Sequence, residues 1–349
     1  MSKKYDAVVY IGRFQPLHSA HIETLKRAAE LGKRVIVIVG SAKRPRTYKN
    51  PFYFGEREAM LINAWKEYGL GNRYDTALNI EPNIDTLYDD NAWILRVQAI
   101  VAKHTVAGDK IAMIGHFKDN SSKYLKWFPQ WTLEQMPAVE PLDATSVRDL
   151  YFRNNANLNF IASVVSPSTL AFLRGFTGGT EYAQVVRERE FIDTYKKQYE
   201  SLAYPPIFVT TDAVVIQGGH VLLITRRSEP GKGLLAFPGG FVNADNDASV
   251  EDAMLRELKE ETKIAVPEKV LRGSITKTKV FDAISRSSRG RTITHAFMIS
   301  LSDGEWNLPK VKGSDDAEKA QWVPLSNISS ENMFEDHFDI LQSFVSVVK

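Results

Sequence analysis

Apolar residues fall in short unbroken runs through the first half of the chain and in longer, partly alternating runs through the second. Ala7-Val8-Val9-Tyr10-Ile11, Val35 to Val39 and Ile111 to Ile114 are continuous apolar segments of strand length. Continuity marks a strand buried on both faces, because a half-solvated strand alternates. Between them, Ile22 to Leu31 and Asn91 to Lys103 carry apolar positions at helical spacing. Buried strands alternating with helices predict a parallel sheet covered on both sides, an α/β doubly wound, Rossmann-like domain. Ligands in such sheets lie at the carboxyl ends of the strands.

The texture changes near Arg174. Gly175, Gly178 and Gly179 interrupt the pattern, a charged helical stretch runs from Arg187 to Tyr199, and Tyr204-Pro205-Pro206 stops it. This divides the chain into a domain over 1–180, a connecting helix and linker over 181–205, and a second domain over 206–349. In the second domain Ile207 to Ile216 and His220 to Thr225 flank Gln217-Gly218-Gly219, which predicts a hairpin. A helix is expected over Ser249 to Lys263, with further β-like runs at Lys269 to Val280 and Thr292 to Ser300. An amphipathic helix is expected over Phe334 to Val348. Few helices on a mixed sheet make this an α+β domain.

The length of 349 residues supports two cores rather than one. With 44 basic against 42 acidic residues there is no strong basic excess, so nucleic acid is not an expected partner. The absence of cysteine excludes disulfides and thiolate chemistry. No apolar stretch reaches the length of a membrane span and the first residues lack a signal-peptide pattern, so the expected compartment is the cytoplasm.

Candidate chemistry concentrates in two places. The first is Gly12-Arg13-Phe14-Gln15-Pro16-Leu17-His18-Ser19-Ala20-His21, which follows a strand and opens a helix. Histidines three apart share one side of the first turn, where free backbone N–H groups already favour an anion. Imidazoles there can follow charge onto a transferring phosphate. A lone histidine at such a corner more often caps or packs. The pair gains weight from Asp143-Ala144-Thr145-Ser146-Val147-Arg148, an N-cap followed by an early helical arginine that can reach a triphosphate.

Together the two stretches resemble the HxGH and ISSTxxR-like boxes of the nucleotidyltransferase superfamily, with Ala20 in place of glycine and Asp143-Ala144 in place of two serines. The nicotinamide mononucleotide adenylyltransferase branch is closer still, through Gly12 to His18, Asn50-Pro51-Phe52 and Gly55-Glu56-Arg57. The resemblance implies that His18, His21 and Arg148 act on the phosphates of ATP, with nicotinamide mononucleotide as acceptor. Gly12, Arg13, Phe14, Arg46, Arg57, Thr145 and Ser146 are further substrate-binding candidates, the arginines competing with a reading as solvated surface charge. Trp93 is placed either to stack on a nicotinamide ring or to fill the core. Gly115-His116-Phe117-Lys118-Asp119 follows a strand, where a binding loop belongs, and contributes Gly115 and His116.

The second place is Pro238-Gly239-Gly240-Phe241-Val242 followed by Arg256-Glu257-Leu258-Lys259-Glu260-Glu261. On a helix Glu257 and Glu261 lie about 40° apart, and Glu260 within about a turn of both. Clustered like charges cost a few tenths of a kcal/mol per pair, a cost a hard divalent cation removes. The bare alternative is a solvated acidic face. The segment resembles the Nudix box GX5EX7REUXEEXGU. Three departures stand out: 16 positions separate Gly240 from Arg256 where the pattern has fourteen, Ala248 stands where glutamate is usual, and Lys263 replaces the box glycine. Asp245 or Asp247 can stand in for the missing glutamate. The resemblance implies Mg²⁺, with Mn²⁺ the other candidate, held by Glu257, Glu260 and Glu261, and a tie from Arg256 to the neighbouring loop. Gly239 and Gly240 are substrate-side positions. Arg289 and Arg291, with the run Gly313 to Glu318 before Trp322, resemble Nudix members that act on ADP-ribose.

In this order the two halves resemble bifunctional nicotinamide mononucleotide adenylyltransferase/ADP-ribose pyrophosphatases over nearly the full chain. That resemblance implies an enzyme of NAD metabolism with ATP, nicotinamide mononucleotide and ADP-ribose as substrates. Two alternatives stay open: a second half that only senses a nucleotide, and a first half that adenylylates another phosphate such as phosphopantetheine.

Overall fold

The computed structural model describes residues 3–117, 120–137, 144–153, 158–301, 307–314 and 317–345. It divides into two compact units, Met1–Arg187 and Glu188–Lys349.

In the first unit β1 (Ala7–Gly12), α1 (Ser19–Leu31), β2 (Arg34–Val39), α2 (Phe54–Glu67), α3 (Leu70–Tyr74), β3 (Ala77–Pro82), α4 (Asp90–Ala102), β4 (Ile111–Gly115) and β5 (Thr132–Gln135) follow one another. They are followed by α5 (Ala144–Tyr151), α6 (Leu158–Val164), α7 (Pro167–Phe176) and the start of α8 (Thr180–Lys197). The five strands form one sheet in the order β3-β2-β1-β4-β5, every neighbour parallel.

Alternate residues of the central strands serve two cores. Val8, Tyr10, Val35 and Val37 pack with Leu25 of α1 and Leu61 of α2. Ala7, Val9, Ile36 and Ile38 pack with Val97 and Val101 of α4. Both faces are dry, which is why these strands carry no polar alternation. The two edge strands, β3 and β5, mix polar with apolar residues and are only partly buried, so no apolar run announces them.

In the second unit β6 (Ile207–Gln217) and β7 (His220–Arg226) meet at a two-residue turn whose Gly218 and Gly219 have φ of 53° and 71°. Both values lie in the left-handed region, where glycine meets no Cβ penalty. Next come β8 (Leu235–Ala236), β9 (Gly239–Phe241), α9 (Val250–Thr262), α10 (Glu268–Gly273), β10 (Ile275–Phe281), β11 (Arg291–Ser300), β12 (Ala317–Pro324) and α11 (His337–Phe344). The sheet runs β10-β11-β6-β7-β12, with β8 on β7 and β9 on β6; it is mixed, since β11 and β6 are parallel and the other pairs antiparallel. Ala213 and Val215 of β6 turn toward Met254, Leu255 and Leu258, so α9 covers one face.

Two expectations need correction. The run from Lys269 is not strand throughout, because Pro267 caps a helical turn that buries Leu271 and the strand starts at Ile275. The last helix starts at His337 rather than Phe334, since Glu335 takes a left-handed φ of 42° that no helix continues through. Among the described residues no helix is long and apolar enough to cross a membrane.

Candidate functional sites

The loop between β1 and α1 is buried although it is not regular structure. Phe14 and Gln15 are each 1% exposed and His18 5%. A buried loop must find partners for its backbone, and side chains from distant elements supply them. Gln15 Nε2 donates to the Phe52 carbonyl and its Oε1 accepts from the Phe52 N–H, both at 2.9 Å. Arg148 Nη1, from α5, donates to the Gln15 carbonyl at 2.9 Å. Arg57, from α2, donates to the carbonyls of Arg13, Gly40 and Ser41 at 2.8, 2.7 and 3.0 Å. The ends of β1 and β2 are thereby held together.

On this scaffold the rings of His18 and His21 lie with centroids 3.7 Å apart. His21 Nδ1 accepts from the His18 backbone N–H at 3.2 Å. In the neutral ring this places the proton on Nε2, the nitrogen left to donate to a ligand. His116, just past β4, sets its Nε2 3.2 Å from Thr24 Oγ1, whose own proton goes to the Ala20 carbonyl. Its Nδ1 is buried with no partner among the described residues. The Arg13 guanidinium makes no hydrogen bond or ion pair with a described residue and is exposed.

The other candidates differ in what they touch. Arg57 is 1% exposed, its donors committed to backbone carbonyls, and burial pushes its pKa down to about 10. It shapes the loop between β1 and α1 through these bonds. Arg46 is spent likewise, on Glu56 at 2.9 and 3.0 Å and on the Pro51 carbonyl, with its guanidinium over the ring of Tyr53. Trp93 makes edge contacts with Tyr124 and Trp127 and a tilted one with Phe128, the core alternative of the two readings. Thr145 and Ser146 are exposed on the first turn of α5, and Thr145 Oγ1 accepts from Arg148 Nη2 at 3.1 Å. Gly115 packs against Leu125, where a Cβ would come within 2.8 Å of Cδ2. Gly12 sits under the Phe14 ring in the same manner, at 2.7 Å. Lys118, Asp119 and Asp143 lie outside the described residues.

In the second unit the carboxylates of α9 meet β9. Ser249 caps the helix, accepting from the Asp252 N–H at 3.1 Å. Lys263 ends it with a φ of 45°, taking the left-handed conformation of the usual box glycine. Glu261 is 5% exposed and accepts from the Gly239 N–H at 2.9 Å. Glu257 lies so close to Gly240 that a Cβ there would stand 2.5 Å from its Oε1, and the carboxylate would have to shift to make room for one. Gly239 is equally confined, against the Thr211 carbonyl. Arg256 bonds Asp247 through two donors at 2.8 Å each, and Glu257 and Glu260 at 2.8 and 3.0 Å. Its hydrogen bonds hold Asp247 down to about 2. Asp247 thus supplies a loop carboxylate to Arg256 beside Ala248, which has none.

Burial pushes Glu257 up while Arg256 opposes it. A carboxylate poised to take up positive charge suits a hard cation, and the all-oxygen set of Glu257, Glu260 and Glu261 is the right chemistry. Among the described residues, however, no three acidic or histidine side chains are gathered closely enough to hold a metal. Arg256 draws Glu257 and Glu260 to itself, and Glu261 is turned to Gly239. Arg291 is engaged with the carbonyl and carboxylate of Asp282. Arg289 is not engaged: it forms no side-chain hydrogen bond or ion pair with a described residue, and its Nε is buried without a partner. Asp315 and Asp316 lie outside the described residues.

The opposite face of the same sheet holds a charged network that motif reading misses. Asp212 accepts from Thr294 Oγ1 at 2.6 Å, with Arg286 and His337 Nε2 at 4.0 and 3.8 Å. Arg286 pairs with Asp336 through two bonds of 2.9 and 3.0 Å. Burial pushes Asp212 up and His337 down to about 3. The one signal in the sequence is an aspartate inside the apolar run of β6.

A buried phosphate loop on a parallel sheet and a Gly-Gly strand facing a carboxylate helix define a nucleotidyltransferase joined to a Nudix-type domain. The cytidylyltransferase-like family matches residues 9–149 and the NUDIX domain family residues 207–344. The nicotinamide/nicotinic acid mononucleotide adenylyltransferase of Acinetobacter baylyi is 35% identical over 183 residues, 52% of this chain and 92% of that protein. The ADP-ribose pyrophosphatase of Methanocaldococcus jannaschii is 30% identical over 168 residues, 48% of this chain and 86% of that one. The bifunctional NMN adenylyltransferase/ADP ribose pyrophosphatase of Francisella tularensis, crystallised with AMP and a manganese ion, superposes with a TM-score of 0.87 at 31% identity, covering 97% of this chain and 98% of its own. The chain belongs to the family of bifunctional NMN adenylyltransferases/ADP-ribose pyrophosphatases.

Proposed function

We propose that the first unit transfers the adenylyl group of ATP to nicotinamide mononucleotide and that the second hydrolyses ADP-ribose to AMP and ribose 5-phosphate. In the first reaction an oxygen of the mononucleotide phosphate attacks the α-phosphorus of ATP in line. The bond to the β-phosphate oxygen breaks, and pyrophosphate leaves with the electron pair. No group on the protein is covalently modified. The chain's part is alignment, which contributes on the order of 7–11 kcal/mol in favourable cases, and charge stabilisation. His18, and His21 through its Nε2–H, donate to the phosphates. Arg148 couples the loop to α5, and Arg13 supplies an uncommitted charge.

In the second reaction water attacks one phosphorus of the diphosphate and the other phosphate departs. The family's dependence is on a divalent cation, and we assign Mg²⁺ to Glu257, Glu260 and Glu261, which would hold it; the ion would supply Lewis-acid activation of water and neutralisation of diphosphate charge. With such a cation in place, Asp247 would keep Arg256 on the loop side.

The observation that carries this reading is the presence in one chain of both the His18–His21 pair on a buried loop and the Glu257–Gly240 approach. A merely nucleotide-sensing second unit is not favoured, because the arginine and all three glutamates are retained beside a tied loop. Incubation with ATP and nicotinamide mononucleotide should yield NAD and pyrophosphate, and ADP-ribose with Mg²⁺ should yield AMP. Turnover of phosphopantetheine but not the mononucleotide would overturn the first assignment. Tight ADP-ribose binding without AMP release would overturn the second.

A further inference from the structure

Arg289 owes its place to a segment remote from it in sequence. The loop between β10 and β11 is polar, Ser285-Arg286-Ser287-Ser288-Arg289-Gly290, yet Arg286 and Ser287 are only 6% and 9% exposed. Buried polar groups need partners, and two adjacent residues just before α11 supply them. Asp336 is 2% exposed and takes both bonds of Arg286. Glu335 Oε1 accepts from the Ser288 N–H at 2.9 Å and from its hydroxyl at 3.3 Å. The Arg289 N–H donates to Ser287 Oγ at 3.4 Å.

The same segment holds the chain that leads to Gly239 and Gly240. The Leu235 N–H donates to the Asn332 carbonyl and the Phe334 N–H to the Leu235 carbonyl, both at 2.8 Å. His337 stacks on Phe237 with ring centres 5.1 Å apart and accepts its N–H. Two residues further on, the Gly239 N–H reaches Glu261. Residues 332–337 therefore fix the Arg289 loop and the Gly239–Gly240 strand to one another. Glu335 does so at a cost, with a φ of 42° in the left-handed region although it carries a Cβ. Such conformations persist only where surrounding contacts enforce them, and they cluster at functional sites. Glycine would meet that φ without strain. What Glu335 brings that glycine lacks is its carboxylate, which Ser288 engages.

We infer that Glu335 is a positioning residue for the second unit's reaction: through Ser288 it sets the Arg289 guanidinium for a phosphate of the substrate. This rests on the ADP-ribose reading above, with Arg289 as a phosphate-binding arginine. Glu335→Gly removes the carboxylate and the backbone strain together. It should raise KM for ADP-ribose about tenfold with little change in kcat, the factor carried by one hydrogen bond to a charged group. Glu335→Gln keeps an acceptor for Ser288 and should stay close to the wild-type KM. Arg289→Ala should raise KM by a similar factor, and adding Glu335→Gly to it should raise KM no further, because residues acting through one group are not additive. An unchanged KM in Glu335→Gly, or additive effects of the two substitutions, overturns the inference while leaving ADP-ribose hydrolysis standing. A purely structural Glu335 would give the additive result, with a lowered unfolding midpoint. Measured on the dissociation constant of ADP-ribose, the same cycle is independent of turnover. A non-additive cycle in binding without AMP release by the wild-type protein would overturn the hydrolase reading alone. A wild-type protein that does not bind ADP-ribose would overturn both.

Discussion

Arg256 straddles the carboxylate of Asp247, with Nε and Nη2 each 2.8 Å from a different oxygen. One ion pair thereby fixes where the loop after β9 stands relative to α9. Removing it should leave the helix intact but free the loop. Asp247→Ala should lower ADP-ribose hydrolysis by about 10- to 100-fold, the usual cost of losing a group that orients a metal site. Adenylyl transfer should be unchanged. Steady-state rates of both reactions on one preparation check this, and Asp245→Ala should lower neither.

His337 is buried, accepts from the Phe237 N–H through Nδ1 at 3.0 Å, and has its pKa pushed down to about 3. The unfolded value is about 6.5. A histidine that is neutral in the fold contributes stability that is fully present above about pH 6.5 and is lost as pH falls from there toward about 3. The unfolding temperature of the second unit should therefore drop on acidification from pH 7 to pH 4. His337→Gln keeps an acceptor but removes the titration, and its profile should be flatter over that range.

Arg57 and Arg13 are both arginines beside the phosphate loop, yet they should fail differently. Arg57→Met strands three backbone carbonyls in the interior, at about 1–3 kcal/mol each. The first unit should be destabilised by at least about 2 kcal/mol, seen as a lowered unfolding midpoint. Arg13→Ala should leave that midpoint unchanged and raise KM for ATP several-fold.

His18→Ala should reduce adenylyl transfer by at least about 100-fold while sparing ADP-ribose hydrolysis, on the scale of a lost preorganised donor. Glu261→Gln should do the reverse. Loss of both activities in either variant would show that the two units do not work independently.

The loop between β1 and α1 stood out because its pattern is local: a strand end, a glycine and two histidines at helical spacing need no distant partner to be recognised. The same holds for Arg256, Glu257, Glu260 and Glu261 on one helix. The backbone partners of Arg46 and Arg57 were not legible, because a positive charge near such a motif looks the same in sequence whether its donors face a ligand or backbone carbonyls. Asp212, Arg286, Asp336 and His337 were not legible as a group, since they come from β6, a loop and α11 and meet only through the sheet.

The sequence by itself determined the continuous strands of the first sheet, the Gly218–Gly219 turn and the residues that make each motif. These follow from burial periodicity and from backbone conformations open to few residue types. Only the tertiary structure decided which charges are spent and which are free. Arg57 is consumed by three carbonyls and Arg289 by none, because satisfying buried backbone groups depends on which segments the fold brings together.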